Sequence, residues 1–175
     1  MELAVPSQRP AATSTRVGAS LVDALISVTV GVVIAVLLLA VGIDDAFTVA
    51  FFITGLLVIP YEIGFTAWIG QTIGKRATKI IVVDASNRIP SRGRATVRYV
   101  VKALPGLNYL VGGAGVASLI VNLYPLALFA SIAAHTERRG WHDRVADTWV
   151  VEEQGRRSMT EKLAEGVPQV PIIEP

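Results

Sequence analysis

Charged residues vanish from two long stretches of the chain. Residues 24–43 and 103–134 contain no Asp, Glu, Lys or Arg, and they run to 20 and 32 residues. Both exceed the roughly 18 apolar residues at which a helix becomes a candidate membrane span. The first run, extended back to Arg16, predicts helix one over residues 16–43. Its uncharged part alone covers about 30 Å at 1.5 Å per residue, the thickness of a bilayer core. Asp44 and Asp45 form an acidic break, and residues 46–68 predict helix two, which carries Pro60 and ends on Trp68. Proline removes a backbone donor and favours a kink, while Trp68 and Tyr61 suit a lipid–water boundary.

Residues 69–102 change character. They hold Lys75, Arg76, Lys79, Arg88, Arg92, Arg94, Arg98 and Lys102 against one acid, Asp84. Within them, residues 79–84 (KIIVVD) read as a short strand and 85–91 as a turn, with Ser91 placed to cap a helix starting near Arg92. The apolar run 103–134 is too long for one upright helix. A turn at Gly112–Gly115 divides it into helices over 96–111 and 116–134, giving four spans, with three as the alternative. Four spans return residues 147–153 (DTWVVEE) to the side of KIIVVD, where two β-branched segments can pair. The expected fold is an all-α membrane protein: a small bundle of four, or alternatively three, transmembrane helices with a short cytoplasmic β pairing.

Composition agrees with this reading. The chain is 52% hydrophobic and 17% charged, against about 25% charged in a typical soluble domain. The absence of cysteine excludes a disulfide scaffold, thiol catalysis and thiolate metal sites. The first run is longer than the core of a cleaved signal peptide and further apolar runs follow, so it is read as a retained helix. Residues 1–14 and 153–175 read as flexible tails flanking a membrane domain over 15–152. Thr13, Ser14 or Thr15 is an expected cap for helix one, and Ser158 with Glu161 forms a capping-box pattern in the second tail.

The basic segment orients the protein. Eight cations beside helix ends place it in the cytoplasm by the positive-inside rule, with the N-terminus and, for four spans, the C-terminus on the same side of a cell membrane. Lys75, Arg76, Lys79, Arg98 and Lys102 are the candidate contacts to anionic lipid headgroups. The segment abuts apolar spans and lacks interleaved aromatics, which argues against nucleic acid. GQTIGKR at 70–76 is too tightly spaced for a phosphate-binding loop, and Arg76 stands where a Ser or Thr is required. His135 and His142, with Asp143 adjacent, match no standard metal spacing; no metal or cofactor is expected. No nucleophile, base and oxyanion set is visible, so an enzyme is the least favoured class.

The embedded charges carry the candidate chemistry. Arg16 and Asp23, seven residues apart, lie within about 20° on one helix face and about 10.5 Å apart along the axis. Glu62 sits at a comparable depth in helix two, and Asp143 follows the last helix. In one reading, Asp23 and Glu62 form an ion- or proton-handling pair, since neighbouring buried carboxylates raise each other's pKa. In the other, Arg16 pairs with Asp23 or Asp143 as a buried lock on helix packing. Gly31 and Ala35 fit a small-residue helix contact.

Three segments together resemble the RDD family of membrane proteins, named for one arginine and two aspartates. They are RVGASLVD at 16–23, GQTIGKRATKIIVVD at 70–84 and HDRVADTWVV at 142–151, and the resemblance spans about residues 14–152. It puts the second aspartate at Asp143. The family pattern usually has glycine before the last threonine, where this chain has Asp147. The resemblance implies transport of unidentified ligands or cation–proton exchange. Two functions follow as expectations: a small transporter or transporter subunit, with a second copy or a membrane partner completing the pathway, or a non-transporting organiser that binds lipid or a partner.

Overall fold

The structure is a computed structural model that describes residues 9–104 and 116–153, without the side chains of 116–122 and 125. Helix α1 (Thr13–Ala40) and helix α2 (Ala46–Ile69) are both long and apolar enough to cross a membrane. They form an antiparallel hairpin through the short link at Asp44–Asp45. The expected bounds of 16–43 and 46–68 are therefore met within three residues. Pro60 lies inside α2 without ending it. Most of their large apolar side chains face outward: Leu25, Leu37, Phe47 and Leu56 are all exposed by 60% or more. Small residues make the contact between the two helices instead. Ala35, Ala46 and Ala50 are buried, and a Cβ on Gly31 would stand 3.2 Å from Thr54 Oγ1. The Gly31–Ala35 pattern thus serves packing within the chain.

Helix α1 starts earlier than expected and without the expected cap. Its N-cap is Ala12, with no side-chain bond, and Thr13, Ser14 and Thr15 all lie inside the helix. The reason is upstream. Pro10 bridges to Val151, and the Ala11 N–H donates to Val150 O at 2.9 Å. Residues 9–12 are thereby docked on the sheet rather than forming part of a free tail, and α1 begins as the chain leaves it.

After α2 the chain turns at Gly70, in the left-handed region at φ 74°, where a Cβ would lie 2.8 Å from Ile81 Cγ1 and 2.9 Å from Val82 O. Only glycine fits that turn. Helix α3 (Ile73–Ala77) follows, capped by Thr72, and leads into strand β1 (Ile80–Asp84). The Asp84 carboxylate accepts the Ser86 and Arg88 N–H groups and closes the turn. Helix α4 (Arg92–Ala103) is capped by Ser91, as the sequence indicates. It begins four residues before the expected bound of 96, and residues 105–115, which include the proposed glycine turn, lie outside the described residues. Helix α5 (Val116–Ala134) matches the expected bounds. Helix α6 (Trp141–Val145) and strand β2 (Thr148–Glu152) complete the fold.

Strands β1 and β2 pair antiparallel, with Ile80 opposite Glu152, Val82 opposite Val150 and Asp84 opposite Thr148. This is the expected pairing of KIIVVD with DTWVVEE. Period-2 alternation gives the ribbon two apolar faces. Ile80, Val82 and Val150 pack with Ala11 and Ala19 at the start of α1, while Ile81, Val83, Trp149 and Val151 form the second cluster. Arg139 lies 3.7 Å above the Trp149 ring, a cation–π contact that covers the second face. The 153–175 tail, with its Ser158–Glu161 pattern, lies outside the described residues beyond Glu153.

Candidate functional site: a layer of three carboxylates and their donors

Where α1 begins and α2 ends, the short elements α3, α4 and α6 gather around three acids. Asp143, with no exposed surface, is the most enclosed. Arg16 donates to its Oδ2 at 2.8 Å and Arg98 to its Oδ1, while the Gly140 N–H donates to Oδ2 at 3.3 Å. Three elements thus converge on one carboxylate. Burial alone would raise the Asp143 pKa; Arg98, His142 and Arg16 outweigh it and hold the carboxyl well below the usual carboxylate range. Burial pushes His142 down to about 4, with Asp143 opposing and Arg98, Lys102 and Arg16 adding to the depression. The imidazole is therefore neutral near neutral pH. Its Nε2 lies 3.4 Å from an Arg98 nitrogen and 3.3 Å from Asp143 Oδ1, between a donor and an acceptor.

Asp23 is held entirely by neutral donors. Tyr61 OH donates to Oδ1 at 2.7 Å, Thr72 OH to Oδ2 at 2.6 Å and the Gly74 N–H to Oδ1 at 2.8 Å. Tyr61 in turn accepts the Ile73 N–H at 2.9 Å. The close approach requires glycine at 74, because a Cβ there would stand 2.1 Å from Ala19 O and 2.8 Å from Asp23 Cγ. The Asp23 carboxylate thereby fixes α3 against α1.

Glu62 takes Lys102 of α4, with Lys75 Nζ of α3 at 4.0 Å. Lys75 Nζ also donates to Thr72 Oγ1 at 3.1 Å. Thr72 uses its single hydroxyl proton on Asp23 and its lone pairs on Lys75, which links the Asp23 and Glu62 clusters. Burial pushes the Lys75 pKa down to about 8; Glu62 opposes the shift, while Lys102 and Arg98 add to it.

The four residues singled out from sequence, Arg16, Asp23, Glu62 and Asp143, all reach this layer. Of the two partners expected for Arg16, it bonds Asp143, together with the Val150 carbonyl, and not Asp23, because the helical rise between positions 16 and 23 keeps the two on separate levels. Asp23 and Glu62 share no contact of their own; Thr72 and Lys75 stand between them. Among the five cations assigned to headgroups, Arg76 and Lys79 are exposed. Lys75, Arg98 and Lys102 instead point to carboxylates within the protein. Tyr61, Thr72, Gly74 and His142 were not assigned site roles from sequence. Thr72 and Gly74 sit in the GQTIGK segment, so motif membership was the available signal.

Asp147 gains a structural account. Its φ is +49°, a left-handed conformation natural to glycine and tolerated by aspartate, and its carboxylate meets Arg94 at 3.1 Å and Arg139 at 3.5 Å. These ion pairs are what the chain has in place of the glycine usual in the resembled pattern.

Two apolar helices long enough to cross a bilayer, closed at one end by a buried ionic layer and a β ribbon, define a membrane protein. The RDD family model matches residues 10–147, and the chain belongs to the RDD family. The match takes in the arginine at 16 and the aspartates at 23 and 143. No curated protein and no solved structure matches significantly.

Proposed function

We propose that the protein is a multi-pass membrane protein that works as a lipid- or partner-binding module on the cytoplasmic side, rather than as a cation–proton exchanger acting through Asp23 and Glu62. One observation carries this reading: each embedded acid is already occupied by donors from the protein. Asp23 accepts three hydrogen bonds, two of them from side chains, and Glu62 faces two lysines. A carboxylate that exchanges cations for protons has to release its partners at each cycle, and here release would detach α3 from α1 and α4 from α2. The uncharged α5 and the apolar run before it supply the third and fourth spans of this reading. The cations at 75–102 then lie on the cytoplasmic side by the positive-inside rule, with exposed Arg76 and Lys79 toward anionic headgroups.

The test is reconstitution of the purified full chain in vesicles loaded with a pH-sensitive dye. Pulses of sodium or potassium should produce no proton flux above empty vesicles. Cation-dependent flux that Asp23→Asn abolishes in a folded protein would establish the exchanger instead. A reporter fused after Val151 should read cytoplasmic.

A further inference from the structure

Between α1, α3, α4, α5 and α6 lies a cavity of about 50 Å³, several times the room one water needs. Its ionisable lining is Arg16, Lys75, Arg98, Lys102, His142 and Asp23, with Ser20 of α1 beside them. Four cations therefore face it, and the only carboxylate in the lining already has its oxygens taken by Tyr61, Thr72 and Gly74. Counting Glu62 and Asp143 behind the lining, four cations stand against three acids, which leaves one positive charge in excess. Two hydrogen-bond positions at the lining residues are also unfilled: Arg16 Nε and His142 Nδ1 are buried and find no partner among the described residues. Arg16 Nε is an N–H donor, and His142 Nδ1 is the ring nitrogen left over while Nε2 faces Arg98 and Asp143 Oδ1. Buried donors without acceptors are rare in folded proteins and call for an acceptor.

We propose that this cavity binds a phosphate-type oxyanion, held by Lys75 and Lys102 with the free Nε–H of Arg16, in a site that His142 helps to line. An oxyanion supplies both missing elements, a negative charge and several acceptor oxygens, and guanidinium and ammonium groups are the usual phosphate partners. The depressed Lys75 pKa agrees, since it reflects burial among like charges that an anion would relieve. The apolar wall is Leu128, Phe129 and Ile132 of α5. The same chemistry is offered by free phosphate and by the phosphodiester of a lipid headgroup. The inference deepens the binding-module reading and rests on it.

The experiment uses the full chain in detergent, with thermal unfolding measured in sodium phosphate and in sodium chloride at equal ionic strength. In parallel, native mass spectrometry measures retention of phosphatidylglycerol against phosphatidylcholine. Phosphate should raise the unfolding midpoint above that in chloride. Ser20→Phe, which fills the cavity from α1 while keeping all four cations, should weaken binding about tenfold or more. Should that variant fail to fold, Lys75→Gln provides the same reading, since Lys102 still holds Glu62. Selective retention of phosphatidylglycerol that phosphate displaces would identify a headgroup as the source; phosphate stabilisation without lipid retention would identify the free anion. Binding of neither probe, or equal binding by folded Ser20→Phe, would overturn the proposal. Cation-driven proton flux in the vesicle assay would defeat the binding-module reading alone, so the two failures are distinguishable.

Discussion

The two ends of the α1–α2 hairpin are built by opposite rules. Toward the acidic link at Asp44–Asp45, the helices touch through glycine, alanine and threonine and turn their large side chains outward. Toward Arg16 and Ile69, the contacts are made by carboxylates, guanidinium groups, hydroxyls and a backbone amide, nearly all buried. In lipid, an outward leucine costs nothing and burying it against a neighbour gains little, so the apolar half is held by close packing of small residues. In the charged half, each acid removed from water requires donors, and donors from separate elements make the arrangement specific. The comparison teaches that the apolar half places the chain in a membrane, whereas the ionic half decides how the short elements dock.

The strongest way to break this contrast is Asp143→Ala. It leaves Arg16 and Arg98 buried without their counter-charge, and such a break costs about 3–5 kcal/mol. Thermal unfolding of the detergent-purified variant should show the loss, or no folded material should be recovered. Gly74→Ala comes next. Its Cβ meets the Ala19 carbonyl at 2.1 Å, so main chain has to move, with an expected loss near the upper end of the roughly 1–3 kcal/mol typical of overpacking.

Acidification offers a graded test of the ionic half. His142 is neutral in the fold, with its pKa pushed down to about 4, and titrates near 6.5 when unfolded. The unfolded chain therefore binds the extra proton first, and stability should fall as pH drops from about 6.5 to about 4, by at most about 1.4 kcal/mol per pH unit. His142→Gln should flatten that limb. Asp143 adds a further loss only at lower pH, because its carboxyl stays ionised in the fold below the usual range.

The smallest effect should come from the apolar half. Leu37, 62% exposed, should tolerate Leu37→Ala within about 0.5 kcal/mol. A loss there approaching that of Asp143→Ala would erase the distinction between the two ends and point to a covering helix at that face.

Hydropathy marked α1 and α2 to within three residues, and β-branched runs marked both strands, because these features depend on local pattern and solvent preference. Ser91 was legible as a cap for the same reason. The embedded acids stood out because an ionised group in an apolar helix is costly wherever it points. Their partners were legible only in part. Arg16 reaches Asp143, one of two alternatives the sequence offered, across 127 positions, whereas Asp23 takes donors the sequence did not name, from Tyr61, Thr72 and the amide of Gly74. Sequence spacing ranks neighbours along one helix, but it carries no information about which short element folds back to which carboxylate.

The sequence by itself determined the apolar helices, the ribbon strands and the need to neutralise Asp23 and Glu62, since these follow from residue chemistry and period alone. Only the tertiary structure decided the pairing, turning Lys75, Arg98 and Lys102 inward and leaving Arg16 Nε and His142 Nδ1 unpartnered beside a cavity. The physical reason is that a buried charge fixes the kind of partner it must find, whereas packing of distant elements decides which residue supplies it.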